Sequence, residues 1–223
     1  KAFVARALRC LVQNDVWKVG VPTQEERYIL CIQRLRSELF AWYKERERLS
    51  PQDPLYELQE LKQSMMGTPE QPELATKAAE TGTLIEFCAY ALQVHQAAIR
   101  REEVAPLIQV GRALVAGREL MRTRPRVLNA DDCQTLVDTA KVAFTHREAA
   151  GIPWTPKWHM FLHMCHQART HGNPHYYTTF LDESYNGRLA KVAAACHKTT
   201  WHHRVLANFR AAFSHSAKRV RLS

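Results

Sequence analysis

Residues 83–100 read TLIEFCAYALQVHQAAIR, and whether they form a helix or a strand decides the fold class. Leu84, Ile85, Phe87, Cys88, Tyr90, Ala91, Leu92 and Val94 place apolar groups on most sides of a helix. That is the pattern of a helix enclosed in the middle of a bundle. The alternative is a strand over 83–88, but the unbroken length favours a helix.

Helical signals continue in both directions. Phe3, Val4, Ala7, Leu8, Leu11, Val12 and Val16 form a helical stripe over 2–18, which Gly20 and Pro22 end. Thr23 with Glu26 three residues on is a capping box, and it opens a long helix over about 23–48. Its apolar side carries Tyr28, Cys31, Ile32, Leu35, Leu39, Trp42 and Tyr43. These aromatics read as core rather than as a base-stacking platform. Asp53 before Pro54 predicts a helix over about 54–65, because proline fits a first helical turn. Gly67, Pro69, Pro72 and Gly82 make 67–82 a connection with at most one short helix. A helix over 104–121 carries small Ala105, Gly111, Ala113, Ala116 and Gly117, which admit a close neighbour. Arg122, Arg124 and Arg126 around Pro125 form a basic loop, read as solvated. Asn129 caps a helix that stops near Gly151, with Asp131 and Asp132 in its first turn as the helix dipole prefers. Further helices are expected over about 156–171, 181–196 and 198–216. The expected fold is therefore all-α: an irregular bundle of about eight to ten helices with no substantial sheet.

A chain of 223 residues suits one large domain or two small ones. No window of 18 apolar residues occurs, so no membrane partner is expected, and no cleavable secretory pattern is present. A start at Lys1 predicts a fragment or a processed product. Six cysteines, at 10, 31, 88, 133, 165 and 196, include no Cys-x-x-Cys pair. They read as reduced core residues of an intracellular protein. The net charge of +9 is unevenly spread. Residues 1–150 hold 21 Lys and Arg against 20 Asp and Glu, whereas 151–223 hold 10 against 2, with nine of the eleven histidines. The chain thus reads as a near-neutral helical scaffold, 1–150, and a basic His-rich helical segment, 151–223, packed on it or continuous with it. A segment this basic favours a polyanion, most often nucleic acid, with an acidic protein subunit as the alternative. The basic tail Lys218-Arg219-Val220-Arg221 fits a nuclear import patch.

The basic segment also holds the candidate chemistry. His159, His163 and His166 fall on one face of the 156–171 helix, opposite Trp158, Phe161, Leu162 and Cys165. Histidines four apart can share a metal, so His159 and His163 are the candidate ligands, with Cys196, His197, His202 and His203 available later. No His-Glu-x-x-His or finger-type spacing accompanies them. His171-Gly172-Asn173-Pro174 ends the helix, with glycine and asparagine supplying a left-handed cap. Tyr176, Tyr177 and Phe180 then pack or stack. Asp182-Glu183 opens the next helix. There Glu183, Asn186, Gly187, Ala190, Ala194 and His197 form a stripe opposite Tyr185, Leu189, Val192 and Cys196. The small residues let another element approach, and a carboxylate pressed there needs a cation or a metal. The plainer alternative is that Asp182 and Glu183 favour a helix N-terminus and pair with a His or Arg.

Thr155-Pro156-Lys157-x-His159, His163, Gly172-x-Pro174 and Glu183-x-x-Asn186-x-x-Leu189 together resemble the end of DDE-type transposases of the CACTA and Plavaka kind. The resemblance covers about 35 residues and, by order alone, the helical block before them. It implies a helical insertion and C-terminal part of such an enzyme, or of a related mobile-element protein, whose core is RNase H-like. It assigns Glu183, or as substitute Asp182, to the third catalytic acid, which would help hold Mg²⁺ in a two-metal phosphoryl transfer. Nucleic acid, with DNA favoured, would then meet Lys157, Arg169, Asn186, Arg188, Lys191 and Arg204. No strand bearing an aspartate is visible in residues 1–22, so two of the three acids are missing and the chain alone is not a complete nuclease. Two alternatives remain. One is a non-enzymatic helical interaction subunit of a larger assembly. The other is a metal-dependent hydrolase using the histidine face. As a cofactor, zinc is less expected than the Mg²⁺ that the resemblance implies. The expected location is intracellular, with the nucleus favoured.

Overall fold

A computed structural model describes residues 1–53, 55–66, 74–177 and Ala207. The chain divides into two compact units, Lys1–Tyr176 and Tyr177–Ser223; the first is described below. Its described residues are all helical, with no strand: α1 (Ala2–Gln13), α2 (Gln24–Leu49), α3 (Ala78–Val94), α4 (Arg101–Thr123), α5 (Ala130–His146) and α6 (Pro156–His171). Three short 3-10 turns, Gln63–Met66, Gln96–Ala98 and Pro174–Tyr177, complete them. Among the described residues, six α-helices stand against the eight to ten expected of the whole chain. Those expected over 181–196 and 198–216 lie outside the described residues. No helix among the described residues is long and apolar enough to cross a membrane.

The core is built on α1. Phe3, Val4, Ala5, Ala7, Leu8, Cys10, Leu11 and Val12 are all buried, and so is Arg9, the one charged residue among them. Such a helix has no solvent face to spare, and α2, α3 and α4 all pack against it. It stops at Gln13 rather than near residue 18. Asn14 turns its side chain back onto the Cys10 carbonyl, and Asp15 and Lys18 take positive φ angles of 45° and 51°. The Asp15 carboxylate accepts from the Val19 N–H and so closes the turn.

Thr23 caps α2 as expected, accepting from the Glu26 N–H. The Glu26 carboxylate binds the Thr23 hydroxyl at 2.7 Å. Cys31, Leu35, Leu39 and Tyr43 are the buried residues of α2, a single stripe four residues apart. The aromatics are core, with Trp42 edge-on to Phe87 and Tyr43 1% exposed.

The helix expected over 54–65 does not form. Residues 55–62 run irregularly into the Gln63–Met66 turn. Leu58, Leu61 and Met66 are buried anchors, and the backbone donors go to neighbouring helices instead of along the segment. The Leu58 N–H donates to the Tyr43 hydroxyl and the Tyr56 N–H to the Thr83 hydroxyl. Arg9 holds the far end through the Met66 carbonyl. Tertiary partners have taken the hydrogen bonds a helix would have made.

Residues 83–88 lie within α3, which starts earlier, at Ala78. Of the small residues on α4, Gly111 and Gly117 admit neighbours. A Cβ on Gly111 would stand 3.0 Å from Phe3 and 3.3 Å from Ala89, and one on Gly117 3.4 Å from Thr139. Ala113 is buried as well, whereas Ala105 and Ala116 are exposed. A second, smaller cluster joins α5 to α6 through Leu136, Ala140, Cys165 and Ala168. Trp158 joins the main core instead. The five described cysteines are free and buried. Burial pushes the thiols of Cys10, Cys31 and Cys165 up to about 12, which leaves them protonated and unreactive.

Candidate nucleic-acid interface

Helix α6 shows one side to solvent. Pro156 occupies its first turn, and Trp158, Cys165 and Ala168 set its buried side. Phe161 and Leu162 are half-buried beside them. The helical period then turns His159, His163 and His166 outward, and all three are exposed, as are Lys157 and Arg169. The histidine face is therefore a solvent face. Residues 151–177 contain no Asp or Glu at all. None of Lys157, Arg169, His159, His163 and His166 has a carboxylate partner among the described residues.

Within that face two histidines meet. His159 and His163 share a hydrogen bond between their Nε2 atoms at 2.8 Å, with their rings nearly perpendicular. Among the described residues no third His, Cys, Asp or Glu joins them in a metal-sized group. The protonated Cys165 thiol lies on the buried side.

The C-terminal end of α6 is tied to the basic loop between α4 and α5. Gly172 ends the helix at a φ of 82°. Asn173 is completely buried. Its amide nitrogen reaches the carbonyls of Met121 at 2.8 Å, Arg124 at 3.0 Å and Pro125 at 3.3 Å. Its backbone N–H donates to the Arg126 carbonyl, and its side-chain oxygen accepts from the His175 N–H. Met121 belongs to the last turn of α4, whose carbonyls have no helical donor. One asparagine thus caps another helix and fixes the loop. Asparagine was expected to share the left-handed cap, but the positive φ belongs to Gly172 alone.

The clamp sets what the loop can offer. Arg122 pairs with Glu119 and Asp53, and Arg124 with Asp132 at 3.0 Å. Arg126 is exposed and has no carboxylate partner among the described residues. The solvated reading of the loop holds for Arg126, whereas Arg122 and Arg124 are engaged by carboxylates, and the loop's carbonyls are held from behind. Around the segment, Trp154 is 49% exposed, edge-on to Phe144, with the Arg147 guanidinium over its ring. Tyr176 is 53% exposed. Met160, 65% exposed beside the histidines, was not singled out in the sequence.

Among the expected site residues, Lys157, Arg169, His159 and His163 thus share one exposed helix. Asp182, Glu183, Asn186, Arg188, Lys191 and Arg204, with Phe180 and the small-residue stripe, lie outside the described residues. Comparison with protein-family models, with curated proteins and with solved structures finds no match to this chain.

Proposed function

We propose that the chain is a nucleic-acid-binding helical portion of a transposase-like mobile-element protein, working in the nucleus, with DNA as the favoured partner. The observation that carries this reading is the exposed side of α6. Lys157, Arg169 and three histidines are exposed along this helix, without a carboxylate in the surrounding 27-residue segment. Unneutralised cations on a rigid helix attract phosphates and gain by releasing condensed counterions. Arg126 extends the cationic surface, held by the Asn173 clamp. In this reading Asn186, Arg188, Lys191 and Arg204 continue the contact. Glu183, with Asp182 as substitute, supplies an acid to a Mg²⁺-dependent site completed by other parts of the protein.

A second reading, an interaction subunit with an acidic protein partner, has one observation in its favour. Met160 and Trp154 expose more apolar surface than phosphate contact requires.

Fluorescence anisotropy with a labelled duplex separates the two. Six phosphate contacts predict an affinity loss of roughly 1,000-fold between 50 and 200 mM salt. Binding that ignores salt, or no binding at low salt, would sink the nucleic-acid reading.

A further inference from the structure

The geometry points to a metal site on the open face of α6: a two-imidazole chelate, His159 with His163, for a divalent transition-metal ion of tetragonal preference, copper(II) first. The inference is independent of the nucleic-acid reading. It begins with the separation of 2.8 Å between the two Nε2 atoms. Metal–imidazole bonds are about 2.0 Å long. Two nitrogens this far apart therefore subtend about 90° at an ion bonded to both, the angle between neighbouring ligands in a square-planar or tetragonal field. A tetrahedral ion such as zinc would need them about 3.3 Å apart at the same bond length.

The pair is also placed as a chelate should be. Residues four apart on a helix lie one above the other, so the backbone holds both rings without any long-range fold. Both rings are exposed, so an ion reaches them without the protein opening, and water can fill its other positions. No carboxylate lies in the segment 151–177, which disfavours the hard cations Mg²⁺ and Ca²⁺ and leaves an imidazole-selecting ion. On binding, the ring that donates its Nε2–H within the pair shifts that hydrogen to Nδ1, and both rings then give an Nε2 lone pair to the metal. Two neutral rings therefore bind without net proton release.

The test uses the full chain and copper(II) alone. Isothermal titration gives the affinity of the tightest site, and electron paramagnetic resonance at one equivalent reports its nitrogen ligands. His159→Gln and His163→Gln alter exposed side chains, and circular dichroism checks that each variant is folded. A chelate gains roughly 100-fold from its second arm. Each single variant is expected to weaken the tightest site by about that factor, and the double variant little further. The wild-type spectrum should show two equivalent nitrogens, reduced to one in either variant. Wild-type affinity in either single variant would overturn the inference, because the tightest copper site would then lie elsewhere among the eleven histidines. Equal, additive losses from the two substitutions would overturn it as well, because they describe two separate ligands.

Discussion

The α-carbon of Gly172 sits so close to the Arg126 backbone that a Cβ there would lie 2.5 Å from the Arg126 carbonyl oxygen. Two requirements meet at this residue. Its φ of 82° belongs to the left-handed region, and its α-carbon must let another segment's backbone pass. Only glycine meets both. Gly172→Ala should destabilise the protein by about 3 kcal/mol, more than the backbone effect alone, because the obstructing atom is main chain and cannot swing aside. Urea denaturation monitored by circular dichroism gives the value. A loss below about 1 kcal/mol would mean that the loop between α4 and α5 is free to retreat.

Asn173 carries the same junction by hydrogen bonding. Its amide serves three carbonyls and its oxygen one N–H, all in a fully buried place. Asn173→Ala should cost about 2–3 kcal/mol, because buried carbonyls lose their donor. Asn173→Asp should cost more. Aspartate keeps the shape but points a carboxylate oxygen at three carbonyls, a buried repulsion in place of donation. That order of midpoints, wild type above Ala above Asp, distinguishes a donating clamp from a residue that merely fills space.

The fold was legible wherever local chemistry and tertiary packing agreed. Thr23 and Glu26 announced α2, and Asn129 announced α5, because a cap acts within four residues of itself. Pro54 misled for the same reason. Its local fit to a helix start was overruled by Tyr43 and Thr83, which lie 15 and 27 residues from the N–H groups they accept. No local pattern encodes such a partner. The exposed side of α6 was legible from periodicity, since Trp158 and Cys165 fix the opposite side. The role of Asn173 was not, because its acceptors lie about 50 residues away. Glu183 and the residues around it lie outside the described residues, so the acidic part of the expected site stays a proposal.

Acid sensitivity should centre on the ion pair that fastens α4 to α1. Burial opposes ionisation of Glu103, but hydrogen bonds from Arg6 and Asn14 outweigh it and hold the carboxyl below its ordinary 4.5. A carboxyl depressed on folding stabilises the native state above its unfolded pKa. That contribution fades as the pH falls from about 4.5 through the folded value. Melting temperature should therefore drop below pH 4.5, and Glu103→Gln should flatten that part of the curve while lowering stability at pH 7. Arg6→Met tests the cause. With its main donor gone, the Glu103 carboxyl should return toward or above 4.5, and that part of the acid limb should flatten as it does in Glu103→Gln.

Lys157, Arg169 and Arg126 have no carboxylate partner among the described residues. All three are exposed, so changing them leaves the core intact and isolates their effect on binding. Each residue that neutralises one phosphate should lower the slope of log affinity against log salt by about 0.9 when replaced by alanine. Arg122 and Arg124 supply the internal control. They lie on or beside the same loop, yet their guanidinium groups are engaged by Glu119, Asp53 and Asp132. A phosphate would have to displace those carboxylates, so Arg122→Ala should change stability more than the salt slope. If Arg122→Ala and Arg126→Ala reduce the slope equally, the surface binds by bulk positive charge. A reduction confined to Lys157, Arg169 and Arg126 means that the ion pairs select which cations face the nucleic acid.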